Sequence, residues 1–367
     1  AQKDMKKLDH SAQIQVLKGI TKVSGNPLPT EEGGYGKPLG NKSGTNLTNL
    51  MKIKLIRKIK QRIRDISNVW SVAGIRNVYV MAILPHFGSK STRDIRRERK
   101  QQAILHYLQT NYQNLILKYT QKEEIPPASN QAPIWVCWWQ GENAMPPIVQ
   151  SCFQSLCSHA GNHLVHLITQ ENISKYVTIP DYILRKVQEG KISFTHFSDI
   201  LRMCLLYEHG GLWIDATVYV SQPIPEKVFQ EPLFTVAANI DTDNISQAKW
   251  MGFILGSSPQ GVLCSFAREL FFQYWEKENK LLDYFLIDYV ISIAKTNLAS
   301  VRRSLNSIPT DHSQIFDLEN MMNKAYNANS FKTLCEQQIF HKLSYKNKHA
   351  QYTNKGVRTL YHMLISK

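Results

Sequence analysis

The 367-residue sequence has six cysteines but no C-x-x-C pair, no apolar run long enough to cross a bilayer, and little acid in its first third. Each shortage excludes something. Cys137, Cys152, Cys157, Cys204, Cys264 and Cys335 show no zinc-type spacing with histidine and read as buried, reduced thiols. The most apolar stretch, Val69 to Leu84, is broken by Arg76 and Asn77, short of the ~18 residues of a membrane span. The first residues, Ala1 to Lys7, lack the apolar core of a signal peptide. A cytosolic, reducing location is the expectation.

Hydrophobic residues at 43% and aromatics at 10% exclude a disordered chain. The length predicts two structural units, or one large domain with an appendage, and a core needing no disulfide or metal staple. The net charge of +15 is uneven. Residues 1–125 carry 23 basic and 9 acidic side chains, whereas the remaining 242 carry 21 and 20. A protein gripping nucleic acid with its main body would show a basic excess there too. The pattern is instead a neutral body behind a basic N-terminal third, and no nucleic-acid partner is expected.

Residues 24–49 are rich in Gly, Asn, Ser, Thr and Pro and read as a linker, so 1–50 form a polar N-terminal segment. Over 51–64, seven cations occur with no acid, and Ile56, Ile59, Ile63 and Ile66 recur at helical spacing. This basic amphipathic helix has three readings: a seat on an anionic membrane surface, a contact for an acidic partner, or an Ile stripe docked with its cations solvated. A second helix is predicted over about 91–121, and a basic helical extension spans 51–128. Pro126 and Pro127 then punctuate the chain. From 129 to 367 its character changes: a buried strand over 133–141, a helix from Pro146 to about Cys157, a strand over 162–168, a helix over 194–209 closed by Gly210 and Gly211, and a strand over 212–220. Alternating strands and helices predict an α/β fold with a mainly parallel sheet flanked by helices.

The chemistry concentrates between Ser198 and Thr217. Asp199 and Arg202 are three apart and share a helix face. The strand after the double glycine is apolar until Asp215, which places that carboxylate near its carboxyl end, the edge where open α/β sheets bind ligands. Such a cluster can hold a divalent cation and a phosphorylated, polyhydroxylated ligand. It can equally be a loop-capping Asp beside a helix-surface ion pair.

These residues, Ser198-Asp-x-Leu-Arg202 followed by Tyr207-x-x-Gly-Gly-x-x-x-Asp215, resemble the sugar-nucleotide core of retaining glycosyltransferases of the GT-A fold. In particular they resemble bacterial capsular polysaccharide synthesis proteins, relatives of the enzymes carrying the DXD sugar-binding region. Trp138 to Gly141 with Pro146-Pro147, Trp250 to Phe253, Asp283 to Asp288 and His341 to Lys346 resemble further blocks of that family, over roughly 130–350. The resemblance implies a GT-A-like domain that moves a hexose from a nucleotide sugar, UDP-linked by default, to a growing or lipid-linked glycan with retention. It implies that Asp199 and Arg202 grip the donor and that Asp215 opens a metal motif for Mn²⁺ or Mg²⁺. Thr217 stands where that motif has its second Asp, so one formal charge is missing.

Lesser candidates carry two readings each. Trp138 and Gln140 line a base pocket, or Trp138 packs in the core; Gly211 belongs to the donor motif. His341 and Lys346 supply a metal ligand and a diphosphate contact, or lie on the surface. Asp288 faces the acceptor, or is a helix-surface acid; Trp250 is a sugar platform or core. Asp241 and Asp243 share the DXD spacing but sit in a polar, loop-like run. Two rivals remain: a sugar-binding scaffold that has lost catalysis, and a nucleic-acid-binding protein acting through the basic third.

Overall fold

The computed structural model describes residues 47–86, 89–127 and 131–366. The polar segment through residue 46 and positions 128–130 lie outside them. The chain divides into two units, residues 1–103 and 104–367.

In the first unit, α1 (Leu47–Ala73) realises the predicted basic helix and stops at Gly74, whose φ of +76° only glycine adopts readily. Then come α2 (Ile75–Val78), a π-helical turn over Tyr79–Ile83 and a 3-10 turn over Leu84–His86. Val69, Val72, Val78, Met81 and Ala82 are buried, so the apolar stretch folds as helical turns. Among the described residues no helix is long and apolar enough to cross a membrane. By contrast, Ile56 and Ile59 stay 40% and 41% exposed, beside exposed Arg57, Lys58, Lys60 and Arg62. The helix α3 (Arg93–Asn111) begins in this unit and ends in the next.

The second unit opens with the rest of α3 and α4 (Gln113–Tyr119). The single helix expected over 91–121 is interrupted at Tyr112, whose backbone leaves the helical region. Next come β1 (Ile134–Cys137), α5 (Pro147–His159), β2 (Val165–Ile168), α6 (Asp181–Gln188), α7 (Phe194–His209) and β3 (Gly211–Ile214). They are followed by β4 (Val218–Val220), α8 (Lys227–Gln230), β5 (Leu233–Thr235), β6 (Ile254–Ser257), α9 (Val262–Lys277) and α10 (Leu286–Asn297). The chain ends with α11 (Ala299–Ser307), α12 (Asp317–Met321), α13 (Ala328–Gln337), β7 (Phe340–Lys342) and α14 (Leu360–Ile365).

Five strands form one sheet in the order β2-β1-β3-β6-β5. Parallel pairing joins β2, β1 and β3, whereas β6 runs antiparallel to both β3 and β5, so four of the five strands share a direction. One face, through Ile134, Val136, Leu212 and Ile214, packs on Ile148, Val149, Cys152 and Leu156 of α5. Trp135 belongs to the other face, where α7 and α9 pack together; its indole donates to the Gly210 carbonyl at 2.8 Å. Burial on both faces explains why β1 and β3 are almost wholly apolar.

Ser193 caps α7, its Oγ accepting from the His196 amide, and Gly210 ends it at φ +66°. Gly211 follows at φ +91°, where a Cβ would run into the Pro133 carbonyl. Two glycines thus let the chain reverse from α7 into β3 beside the backbone leading into β1.

The run over 212–220 is two strands rather than the one expected. Asp215 accepts from the Val218 amide at 2.9 Å and donates its own amide to the Phe253 carbonyl at 2.9 Å. That turn ends β3 and sends β4 into a separate two-stranded ribbon with β7, in which Val218 faces Lys342 and Tyr219 faces His341.

Candidate active site

The turn that divides β3 from β4 holds a connected polar cluster at the carboxyl end of β3. Asp215 Oδ1 accepts from Trp213 Nε1 at 2.9 Å and from Arg202 Nη2 at 3.1 Å. Its Oδ2 accepts from Lys342 Nζ at 2.8 Å, and the same Nζ donates to Thr217 Oγ1 at 2.7 Å. Arg202, only 3% exposed, also donates from Nη1 to Asp199 Oδ1 at 3.0 Å and lies 4.9 Å over the Trp213 ring. Behind it, His196 Nδ1 is 3.4 Å from Asp199 Oδ2, while His196 Nε2 accepts from Trp275 Nε1 at 2.9 Å. That acceptance places the proton of a neutral His196 on Nδ1, facing Asp199.

The sequence builds this row in a simple way. The i, i+3 spacing puts His196, Asp199 and Arg202 on one face of α7, and β3 delivers Trp213 and Asp215 opposite. Burial pushes the Asp215 carboxyl up, but Lys342, Arg202 and the Trp213 bond outweigh it and hold it below the usual carboxylate range.

Two cavities meet at Asp215. The larger, about 680 Å³, is lined among others by Trp138, Trp139, Gln140, Thr217, Lys342 and Lys346. The smaller, about 300 Å³, is lined by Asp199, Arg202, Asn244, Trp250 and Asp288. Ser198, Asp215, Tyr284 and Phe316 border both. These volumes suit small-molecule sites, and an aromatic lining with few convergent polar groups is the usual composition of one.

Asp288, on the first turn of α10, is buried rather than on the helix surface. It accepts from Trp250 Nε1 and Asn244 Nδ2, each at 2.9 Å. Burial pushes its carboxyl up to about 6 despite those two bonds, and Asp199 adds to the rise. Trp250 is buried yet lines the smaller cavity, so packing and lining are both true of it. The loop carrying Asp241 and Asp243 has no strand, and its Asn244 is what reaches Asp288.

Other expected residues fall in different places. Trp138 lines the larger cavity, its ring edge-on to Tyr345 at 5.3 Å, and Gln140 and Lys346 line it from exposed positions. Gly211 is at the opposite end of β3 from Asp215, where it allows the close approach to Pro133. His341 is fully buried, with Nε2 3.0 Å from Ser221 Oγ, and does not face Asp215. Successive residues of a strand point to opposite sides, so Lys342 takes the place expected of His341. Lys342, His196, Trp213 and Trp275 were not foreseen. The nearest signal was the period-2 alternation around His341, which needed the pairing register of β7 to be read.

A Mn²⁺ or Mg²⁺ ion on Asp215, Thr217 and His341 does not fit this donor set. Lys342 occupies both Asp215 Oδ2 and Thr217 Oγ1, Arg202 holds Oδ1, and His341 is turned away. Among the described residues no group of three or more His, Cys, Asp or Glu could hold a metal.

Comparison with known proteins gives partial likenesses and one family. A 109-residue stretch is 28% identical to O-glycosyltransferase braB of Annulohypoxylon truncatum, covering 27% of this chain and 26% of that protein. The chain therefore spans about a quarter of that relative's length. The solved structure of PaToxG Glycosyltransferase is similar with a TM-score of 0.31 and 12% identity, over 59% of this chain and 90% of that one. Residues 85–364, well over half of the sequence, match the profile of the capsular polysaccharide synthesis proteins, and the chain belongs to that family.

Proposed function

We propose that the protein is a glycosyltransferase of GT-A type that moves a hexose from a nucleotide sugar, UDP-linked by default, to a growing or lipid-linked cell-surface glycan, with retention of configuration. The observation that carries this reading is Asp215 at the carboxyl edge of β3, tied to Arg202 and Lys342 where the two cavities meet. The family membership agrees with it.

Transfer breaks the bond between the sugar C1 and the phosphate oxygen, and the electron pair leaves with the nucleoside diphosphate. Fixed cations beside that oxygen stabilise the developing charge more than they stabilise the bound donor, which is what lowers the barrier. In this reading the larger cavity takes the nucleotide. Trp138 offers an aromatic wall to the base, with Gln140 at its edge, and Lys346 adds charge for the phosphates. Asp199 and Asp215 accept hydrogen bonds from hydroxyls of the donor sugar, and Arg202 spans both carboxylates. The smaller cavity takes the acceptor, whose hydroxyl meets Asp288. The exposed cations and isoleucines of α1 support a peripheral seat on an anionic membrane surface, close to a lipid-linked acceptor.

A thermal-shift screen of UDP, GDP, CMP and their sugars tests the reading. Stabilisation by one nucleotide class, lost in Asp215→Asn, is the expected result. No shift with any of them overturns it, and binding of the sugar nucleotide without turnover favours the scaffold alternative.

A further inference from the structure

We infer that Lys342 takes the place of a divalent cation in seating the diphosphate, so that nucleotide binding at this site is independent of metal. The inference rests on the proposed function and adds the means by which the ligand is held.

The charge of the motif is the first ground. Two carboxylates match a dication; one carboxylate and a hydroxyl match a single ammonium. This chain has Asp215 and Thr217, and Lys342 Nζ bonds both, at 2.8 and 2.7 Å. A dication in that place would lie beside the Arg202 and Lys342 cations, with Asp215 already bonded to both and Asp199 bonded to Arg202.

The second ground is placement. Lys342 is no loose surface side chain: β7 pairs it with Val218, the residue next to Thr217, and its side chain is 21% exposed. It also lies 4.8 Å over the Phe253 ring, which borders the smaller cavity. A position fixed by strand pairing and an aromatic face needs little reorganisation when an anion arrives.

The third ground is valence. An ammonium has three N–H donors, and Asp215 and Thr217 take two. The third is left for a phosphate oxygen in the larger cavity, which Lys342 lines together with Lys346. Arg202, bonded to both Asp199 and Asp215, lines the smaller cavity, so the cation that this row turns to the larger one is Lys342.

Calorimetric titration of the full chain with UDP, GDP, CMP and their sugars, in EDTA and again in Mn²⁺, tests the inference. Wild type is expected to bind one of them with Kd values within twofold in the two media. Lys342→Met is expected to lose at least tenfold in EDTA, and Lys342→Arg to lose less. Electron paramagnetic resonance of Mn²⁺ is expected to show the free-ion signal undiminished by the wild-type protein. Nucleotide binding tenfold or more tighter with Mn²⁺ overturns the inference and leaves the proposed function standing. No binding of UDP, GDP, CMP or their sugars in either medium overturns both. The wild-type comparison stands whether or not Lys342→Met folds.

Discussion

Lys342 Nζ lies 2.8 Å from Asp215 Oδ2, although 127 residues separate them in the chain. One end of the pair is the turn after β3; the other is the last residue of β7, carried there by pairing with β4. The contact ties the sheet's carboxyl edge to the C-terminal ribbon, and Arg202 continues it into α7.

Asp215→Asn keeps the shape and removes the charge. Arg202 is then left buried with Asp199 as its remaining anion, and Lys342 loses a partner. Breaking a buried pair costs ~3–5 kcal/mol; Asp215 keeps some exposure, so the expected loss is about 2–3 kcal/mol. The urea midpoint at fixed m-value measures it.

Arg202→Lys is expected to fail despite its kept charge. The guanidinium uses two different nitrogens to reach Asp199 and Asp215, whereas the shorter lysine would have to reach both from one nitrogen. The donor KM should rise at least tenfold with an unchanged far-ultraviolet dichroism spectrum. Wild-type kinetics in the lysine variant would contradict the fork's role.

Asp288 sets a pH dependence. Its buried carboxyl titrates at about 6, and the proposed function needs it ionised to accept from the acceptor hydroxyl. Turnover should fall as pH drops through about 6. Asp288→Asn should lower kcat, remove that acid limb and leave the donor KM within a few-fold.

His341 sets another, in stability. Burial holds its imidazole down at about 4, while an unfolded histidine titrates near ~6.5. Between those values the unfolded state binds more protons, so acidification from about 6.5 to 4 removes about 3 kcal/mol contributed by this residue. Asp288 acts oppositely: its raised pKa favours the folded acid form, and that stability is lost as pH rises from ~4 through about 6. The two flatten the wild-type curve. The stability difference between wild type and His341→Gln should therefore be followed by denaturant titration at each pH, and it should shrink by about 3 kcal/mol on going from pH 7 to 4.

The helices of the second unit were legible because their signals are local. The capped start at Ser193 and the double glycine at its end fix α7 over Phe194–His209, where it was expected. Asp199, Arg202 and Asp215 could be brought together on paper, since one spacing and one strand end relate them. What stayed hidden depends on distant partners. The split at Asp215 is fixed by the pairing of β4 with the distant β7, and the reversal of β6 by pairing on both sides. Choosing Lys342 over His341 required knowing which face of a three-residue strand meets Thr217. The burial of Asp288, whose two readings were acceptor-facing and helix-surface, depends on Trp250 and Asn244 donors about forty residues upstream.

Release of nucleoside diphosphate from a panel of nucleotide sugars, by wild type and by Asp215→Asn side by side, tests the central claim most directly. The account predicts slow hydrolysis of one donor class without acceptor, faster release when a glycan acceptor is supplied, and loss of at least a hundredfold in the variant. Equal release by the two proteins, or none from any donor by wild type, would contradict it.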